Sequence, residues 1–195
     1  MIFREQAIGG VFAIEPEPVS DERGMFARMY CEEEFAGHGI SFTVAQANIS
    51  LNARRHTLRG MHLQLPPHEE AKLVRCVRGS VYDVVVDLRA GSPTQLEWLA
   101  VELSAGRRNA LYVAAGLAHG FLTLEDDCEL EYLISTQYVP SAAAGVRWDD
   151  PALGVSWPAR PTVISARDAG YPDLDAERVR ESGPAGLAPA ESLLP

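Results

Sequence analysis

Residues 57–64 read TLRGMHLQ, and residues 72–89 read KLVRCVRGSVYDVVVDLR. Short runs of this kind, rich in β-branched and aromatic residues, recur along the chain and are separated by Gly, Pro, Asp and Ser, a spacing typical of an antiparallel sandwich or small barrel. A helix is predicted only for CEEEFAGHG at 31–39, where glycine ends the pattern. The sequence therefore predicts an all-β fold.

The chain has 195 residues, of which 47% are hydrophobic, enough for one domain with a substantial core. From residue 172 onward the sequence becomes rich in Pro, Ala, Gly and Glu and loses any sustained period. We therefore predict one domain over residues 1–171 and a Pro/Ala-rich C-terminal tail over residues 172–195, extended or partly helical.

The charge balance excludes several classes of partner. With 17 Lys+Arg against 27 Asp+Glu, the net charge is −10, which disfavours a nucleic-acid binder. The N-terminus has no signal-peptide pattern, and no apolar run approaches the length of a membrane span, so we expect a cytoplasmic protein without a membrane partner. The three cysteines, Cys31, Cys76 and Cys128, are an odd number without a CxxC pair and are predicted to be reduced thiols.

Polar side chains occupy positions inside predicted strands. Because strand side chains alternate between faces, Gln46, Asn48 and Ser50 share one face. Such a row forms either a solvated edge or the floor of a polar cavity. Alternation would put Arg59 and His62 on opposite faces, but a bulge at Gly60 would bring both to one side.

A cavity containing Arg59, His62 and Lys72 would combine two fixed cations with a group that titrates near neutral pH. This suits an anionic ligand and an ionisable reaction. Otherwise His62 is a core residue satisfied by one hydrogen bond.

Metal binding is disfavoured by the histidine pattern. GMHLQL has a single histidine where cupin-type metal sites carry an H-x-H pair, and His56 and His68 lie in turn-like stretches. We therefore expect neither a metal ion nor a cofactor.

Two tyrosines, Tyr132 and Tyr138, have the same parity in EYLISTQY. Six residues along a strand span roughly 20 Å, so they could contact opposite ends of an elongated ligand but not one reacting atom. Alternatively, both are packing residues.

The motifs together resemble the dTDP-4-dehydrorhamnose 3,5-epimerase family. The resemblance runs over about 150 residues through SDERGMF at 20–26, QANIS at 46–50, the long segment at 58–94, LAHGF at 117–121, EYLISTQYVP at 131–140, WDDPALGVSWP at 148–158 and ISARD at 164–168. It implies a cupin-type jelly-roll barrel with short flanking helices and an extended C-terminal tail. It also implies epimerisation of a nucleotide-linked 4-keto-6-deoxyhexose through an enolate, without a metal.

The resemblance implies a role for each polar residue. His62 matches the base, Asp168 the carboxylate that orients it, Tyr132 the acid on the opposite face of the sugar, and Lys72 the charge at the enolate oxygen. The positions that match substrate-binding residues are Arg23, Phe26, Arg28, Gln46, Asn48, Arg59, His119, Tyr138 and Arg167. Among these, Tyr138 matches the residue that stacks on the base.

An acidic chain with only local basic residues would gain a closed site by borrowing Arg23 from a second copy, so we expect a two-fold homodimer.

Two positions depart from the family pattern, since Arg28 and Ala143 stand where the family usually has glutamates at the nucleotide end. The base could therefore be thymine or cytosine. Three further functions compete with double inversion: epimerisation at C3 alone, nucleotide-sugar binding by a non-catalytic cupin, and 3,4-ketoisomerisation.

Overall fold

A computed structural model describes residues 1–190. The strands are β1 (Ile2–Glu5), β2 (Val11–Glu15), β3 (Val19–Asp21), β4 (Gly24–Phe26), β5 (Gln46–Asn52), β6 (Thr57–Gln64), β7 (Lys72–Arg78), β8 (Ser80–Asp87), β9 (Trp98–Ser104), β10 (Ala110–Val113), β11 (Leu117–Thr123), β12 (Cys128–Ile134), β13 (Ala143–Gly145) and β14 (Val163–Ile164). The helices are α1 (Glu32–Gly37), α2 (Ala166–Ala169) and α3 (Ala176–Ser182), with 3-10 turns at Pro140–Ala142 and Gly183–Gly186.

Two antiparallel sheets form a jelly-roll sandwich, as the sequence predicted. The first sheet has the order β1-β2-β10-β7-β12-β5, and the second has the order β13-β6-β11-β8-β9, with β14 added parallel to β6. Strands β3 and β4 form a separate ribbon. The sheets bring together segments that are far apart in sequence, so their facing sides can present side chains from many strands to one cavity.

Strand β8 shows why parts of this sequence are apolar on both strand faces. Val85 packs in the cluster between the sheets, whereas Val84 and Val86 pack in a second cluster on the outer side of their sheet. Burial of both faces replaces the usual alternation with a nearly continuous hydrophobic run. The run is interrupted by Asp83, a fully buried carboxylate.

The outer cluster is completed by the C-terminal segment. Helix α3 contributes Val179, which is fully buried there, and the Gln95 side chain donates a hydrogen bond to the Val179 carbonyl at 2.9 Å. Ala144 forms an isolated bridge with Pro189. Residues 172–190 are thus partly helical and packed against the second sheet, while the remainder of the predicted tail, residues 191–195, lies outside the described residues.

The helices differ from the prediction in number. Helix α1 lies within the predicted segment, and its Phe35 is buried against Phe42 and Tyr112. The sequence pattern gave no indication of α2, a single turn capped by the Ser165 side chain, which accepts a hydrogen bond from the Asp168 N–H. Within residues 1–190, no helix is long and apolar enough to cross a membrane, and all three cysteines are free thiols.

Candidate active site

A bulge in β6 brings Arg59 and His62 to the same side of the second sheet. His62 pairs with His119 and Arg59 pairs with Phe121, so three steps along β6 oppose two steps along β11. Side chains two residues apart on β11 share a face, and their partners therefore do so too. Of the two arrangements that the sequence left open, the structure therefore has the one with a bulge at Gly60.

Glycine is required at this bulge. Gly60 has a φ of +144°, and a Cβ atom there would lie 2.5 Å from the Gly120 Cα atom. Any side chain would force the two strands apart and move His62. Glycine at position 60 thus permits the bulge, and the bulge turns the Arg59 and His62 side chains to the same side of the sheet.

The first sheet supplies the opposite wall. In register, Tyr132 lies between Asn48 and Val74, and Ile134 lies between Gln46 and Lys72. Directly opposed residues of neighbouring strands point to the same face. Tyr132, Lys72 and the amides of β5 therefore project together between the sheets, and the row of amides is a cavity wall rather than a solvated edge.

These two walls enclose a cavity of about 500 Å³. Nine of the residues predicted for the site line it: Gln46, Asn48, Arg59, His62, Lys72, His119, Tyr132, Tyr138 and Arg167. The tenth, Asp168, is buried behind His62. The cavity is lined additionally by residues that the sequence motifs did not predict, among them Gln64, Glu70 and Tyr171.

His62 and Asp168 form a hydrogen-bonded pair. His62 Nε2 lies 2.8 Å from an Asp168 carboxylate oxygen, and the other oxygen of this carboxylate accepts a hydrogen bond from the Gly60 N–H at 3.3 Å. Asp168 is held in place by its own N–H, which donates to Ser165 Oγ at 3.0 Å. With Nε2–H donated to Asp168, Nδ1 is the basic nitrogen of the neutral ring, and it has no hydrogen-bond partner within residues 1–190.

Burial lowers the pKa of His62 below its usual range, against the raising effect of the Asp168 carboxylate, and the charges of Lys72 and Arg167 lower this pKa further. Burial would raise the pKa of Asp168, but the hydrogen bond and charge of His62 hold it below its ordinary value. At neutral pH the pair is therefore a neutral imidazole beside an ionised carboxylate, the state required of a general base.

Tyr132 lies on the facing wall and keeps its proton, whereas His62 presents an unprotonated nitrogen. Burial raises the pKa of this phenol well above 10, and the negative charge of Asp83 raises it further. The Tyr132 hydroxyl has no hydrogen-bond partner in the described part of the chain, and its ring makes an edge contact with the His119 ring at 6.2 Å between centroids. A neutral phenol that faces a cavity can donate a proton to whatever occupies it.

Lys72 is held between the two walls. Its Nζ donates to the His62 carbonyl at 3.2 Å and lies 3.0 Å from a Glu70 carboxylate oxygen, while the other oxygen of Glu70 accepts a hydrogen bond from Gln64. The ammonium group is thus fixed near the base. The alternation of HEEAKL gave no signal for Glu70, because this residue precedes the strand.

His119 has a partner that the sequence motifs also did not predict. Its Nε2 lies 2.9 and 3.0 Å from the two oxygens of Asp83, one strand away on β8. A carboxylate within a run of valines was an available signal, since such a group is buried only when it is hydrogen-bonded.

Tyr138 lines the cavity, but it does not lie on the same strand as Tyr132, as the sequence predicted. Strand β12 ends at Ile134, so the shared parity of Tyr132 and Tyr138 does not place the second tyrosine. Instead, the Tyr138 N–H donates to the Gln46 side chain at 3.0 Å, which fixes the segment at the mouth of the cavity. Its side chain is 54% exposed, and its ring is available for stacking.

The remaining three predicted residues lie away from this cavity. Arg23 pairs with Asp21 within the ribbon of β3 and β4, and Phe26 at the end of that ribbon is 80% exposed. Arg28 Nη1 lies 2.7 Å from a Glu34 carboxylate oxygen. A single copy of the chain therefore does not bring Arg23, Phe26 or Arg28 to the residues that line the cavity.

Within residues 1–190, no group of three or more His, Cys, Asp and Glu side chains is arranged to hold a metal ion. The cavity instead presents an oriented base on one wall, a neutral phenol on the other and a fixed cation between them. A jelly roll with this site defines an acid–base isomerase of the cupin type.

The comparisons with known proteins agree with this class. The family model described as dTDP-4-dehydrorhamnose 3,5-epimerase matches residues 5–176. A dTDP-4-dehydrorhamnose 3,5-epimerase of Mycolicibacterium smegmatis is 43% identical over 193 residues, covering 97% of this chain and 91% of the relative. A dTDP-4-dehydrorhamnose 3-epimerase of Streptomyces niveus is 41% identical over 190 residues, covering 97% and 89% respectively.

A solved structure gives the same result. ChmJ, a 3'-monoepimerase from Streptomyces bikiniensis crystallised in complex with dTDP-quinovose, superposes with a TM-score of 0.83 at 39% identity, covering 93% of each chain. The chain belongs to the dTDP-4-dehydrorhamnose 3,5-epimerase family, and it is therefore an isomerase.

Proposed function

We propose that this protein epimerises a dTDP-linked 4-keto-6-deoxyhexose at C3, with or without C5, in deoxysugar biosynthesis. One observation carries the proposal: His62, oriented by Asp168, and the protonated Tyr132 lie on opposite walls of one cavity. Inversion at carbon needs a base on one face of the sugar and an acid on the other. The names of the relatives supply the substrate class.

The chemistry follows from the ketone. A C4 carbonyl acidifies the hydrogens on C3 and C5, because the carbanion formed by proton removal is delocalised as an enolate. His62 Nδ1 takes the proton and Asp168 stabilises the imidazolium that results. Lys72 stabilises the negative charge on the enolate oxygen, and Tyr132 returns a proton to the opposite face of the same carbon.

The other polar residues bind the substrate. Arg59 and His119 bind oxygens of the hexose or the phosphates, and Arg167 binds the diphosphate. At the outer end, Gln46 and Asn48 hydrogen-bond the ligand, and Tyr138 stacks on the base.

Proton NMR of the 4-keto sugar nucleotide in deuterated water tests the function directly. The expected result is replacement of the C3 proton by deuterium together with a change of configuration. Exchange at C3 alone identifies a C3 epimerase, and exchange at both carbons identifies a 3,5-epimerase. Binding of the nucleotide sugar without exchange at either carbon contradicts the proposal and supports a non-catalytic nucleotide-sugar-binding cupin.

The base of the nucleotide is tested separately, because Arg28 stands where the family usually has a glutamate. A glutamate can accept the N3 hydrogen of thymine, whereas an arginine has only donors, which suit the N3 and carbonyl acceptors of cytosine. The ion pair of Arg28 with Glu34 favours thymine, since it turns the guanidinium away. We therefore expect calorimetric competition to favour dTDP over CDP by about tenfold or more, roughly 1.4 kcal/mol. A preference for CDP that is lost in Arg28→Glu would reverse this assignment.

We further propose that the protein is a two-fold homodimer in which Arg23 of each copy reaches the site of the other. Exposed apolar side chains on the ribbon and on the outward face of β5, namely Val19, Met25, Phe26, Ile49 and Leu51, support a partner surface. Light scattering at micromolar concentration is expected to give the mass of two chains. A fully active monomer would contradict the proposal. The cytoplasmic location stays a prediction.

A further inference from the structure

Tyr171 is a buried phenol that neither the sequence motifs nor the acid–base chemistry uses. It is 3% exposed and lies just beyond helix α2, three residues after Asp168. Its ring occupies the place where a side chain of residue 145 would project, since a Cβ atom on Gly145 would lie 2.5 Å from the Tyr171 Cζ atom. The absence of a side chain at Gly145 thus leaves room for the Tyr171 ring.

This position lies beside the base. Gly145 on β13 pairs directly with His62 on β6, and opposed residues of neighbouring antiparallel strands point to the same face. The carbon that carries the Tyr171 hydroxyl therefore sits on the cavity side of the sheet, next to His62.

The Tyr171 hydroxyl has no hydrogen-bond partner within residues 1–190. No fully buried side-chain nitrogen or oxygen of these residues lacks a partner, so the hydroxyl must have access to open space. Tyr171 borders two cavities, the candidate active site and a smaller one lined by Asp173, Asp175 and Arg178. The charged or ionisable groups that act on the phenol are Arg167, Asp168 and Tyr138, which belong to the active-site side.

We propose that Tyr171 is a substrate-binding residue whose hydroxyl donates a hydrogen bond to the phosphate nearest the hexose. This inference rests on the proposed function, which supplies a nucleoside diphosphate as part of the substrate. The location supports the choice of phosphate, because the Tyr171 ring lies beside the position paired with His62, assigned to the sugar, and the phenol lines the same cavity as Tyr138, assigned to the base. A diphosphate joins these two parts of the ligand, and Arg167 provides a cation beside it.

The chemistry of the phenol fits this role. Burial raises the pKa of Tyr171 to about 12, so the group stays protonated and neutral at physiological pH. A neutral hydroxyl without a protein acceptor donates to an anionic oxygen without adding a negative charge to the site. The ring, clamped over Gly145, loses little freedom when the ligand binds.

Calorimetry on the Tyr171→Phe variant tests the contact, because phenylalanine keeps the ring over Gly145 and removes only the hydroxyl. dTDP carries the phosphate nearest the hexose and dTMP lacks it. We expect Tyr171→Phe to bind dTDP about tenfold more weakly or worse, while its affinity for dTMP stays within about twofold of the wild type. CDP and CMP, measured in parallel, should show the same contrast.

Tyr82→Phe is the matched control. The Tyr82 hydroxyl donates to the Ser156 carbonyl at 3.2 Å and does not line the active-site cavity, so this variant should bind dTDP as the wild type does. Thermal unfolding of Tyr171→Phe should match that of the wild type, since the hydroxyl stabilises no protein group.

Two results would overturn the inference alone: unchanged dTDP affinity in Tyr171→Phe, or an equal loss for dTDP and dTMP. In either case the wild-type protein would still exchange the C3 proton, and the proposed function would stand. A wild-type protein that binds none of the four nucleotides contradicts both proposals.

Discussion

Two histidine–aspartate pairs lie on the second sheet, and they differ in access rather than in geometry. His62 lies 2.8 Å from Asp168, and His119 lies 2.9 Å from Asp83. The His62 side chain is 32% exposed, whereas the His119 side chain is 5% exposed and Asp83 is fully buried. A hydrogen-bonded carboxylate is thus common to both pairs, but the His62 imidazole is much more open to the cavity than the His119 imidazole.

The origin of the two carboxylates explains the difference. Asp83 comes from β8, the strand next to β11, and so it closes the sheet beneath His119. Asp168 comes from helix α2, outside the sheet, and holds His62 from behind. The first arrangement fixes His119, the proposed binding residue, within the wall, and the second supports His62, the proposed base, which projects from it. Substituting each histidine in turn therefore tests which of the two pairs supplies the base.

The largest effect is expected for His62→Ala. Removing the proposed general base should lower deuterium incorporation by roughly 10² to 10⁴-fold, because His62 is much more exposed to the cavity than His119, the second histidine on that wall. Proton NMR in deuterated water measures the exchange, and circular dichroism checks that the variant is folded.

His119→Asn is the matched comparison for this variant. It removes the proposed substrate contact of His119 and should lower the same rate by only about tenfold, the value of one hydrogen bond. Near-normal exchange in His62→Ala, with exchange abolished in His119→Asn, would assign the base to the buried pair instead.

The sequence predicted those parts of the site that depend on strand alternation. Parity predicted that Gln46 and Asn48 share one face but left open whether that face lines a cavity, and Gly60 offered a bulge as one of two arrangements of Arg59 and His62. The all-β class and helix α1 were predicted from local patterns as well, whereas the jelly-roll topology was implied by the family resemblance.

The missed residues were missed for different reasons, and one of them depends on a contact between distant segments. Tyr171 enters the site by packing over Gly145, 26 residues earlier, and AGYPDL has no periodicity that could indicate it. Glu70 precedes strand β7 and pairs with Lys72 at the start of that strand. Strand alternation therefore gives no information on where its side chain points. Asp83 is different, because a carboxylate amid valines is a local signal that the sequence did contain.

A smaller effect, and a more specific one, is expected for Tyr132→Phe. If the acid acts on the face opposite His62, the variant should lose inversion by roughly 10²-fold while deuterium still enters C3 with retention, because His62 can return a deuteron to its own face. Comparing exchange with the change of configuration in one NMR experiment separates the two steps.

Tyr82→Phe, with its hydroxyl outside the cavity, should change neither rate. If Tyr132→Phe inverted the sugar at the normal rate, the facing-wall assignment would be wrong. If exchange and inversion fell together by the same factor, Tyr132 would not act as a separate acid.

The smallest expected effects are shifts in the pH dependence of kcat/KM for two matched variants, Asp168→Asn and Asp83→Asn. The base must be neutral, so the rate falls as pH drops through the pKa of His62, which burial lowers below its ordinary value. The Asp168 carboxylate raises this pKa, so Asp168→Asn should move the acidic limb to still lower pH, whatever happens to the maximal rate.

Asp83→Asn should leave the acidic limb in place, because Asp83 is not among the groups that shift the pKa of His62. Burial is the main cause of the high Tyr132 pKa and the charge of Asp83 adds to it, so removing this charge should move the alkaline limb to lower pH. Asp168→Asn should thus shift the acidic limb, through His62, and Asp83→Asn should shift the alkaline limb, through Tyr132. An acidic limb that moved in Asp83→Asn and stayed fixed in Asp168→Asn would mean that the buried pair, and not the accessible one, controls the base.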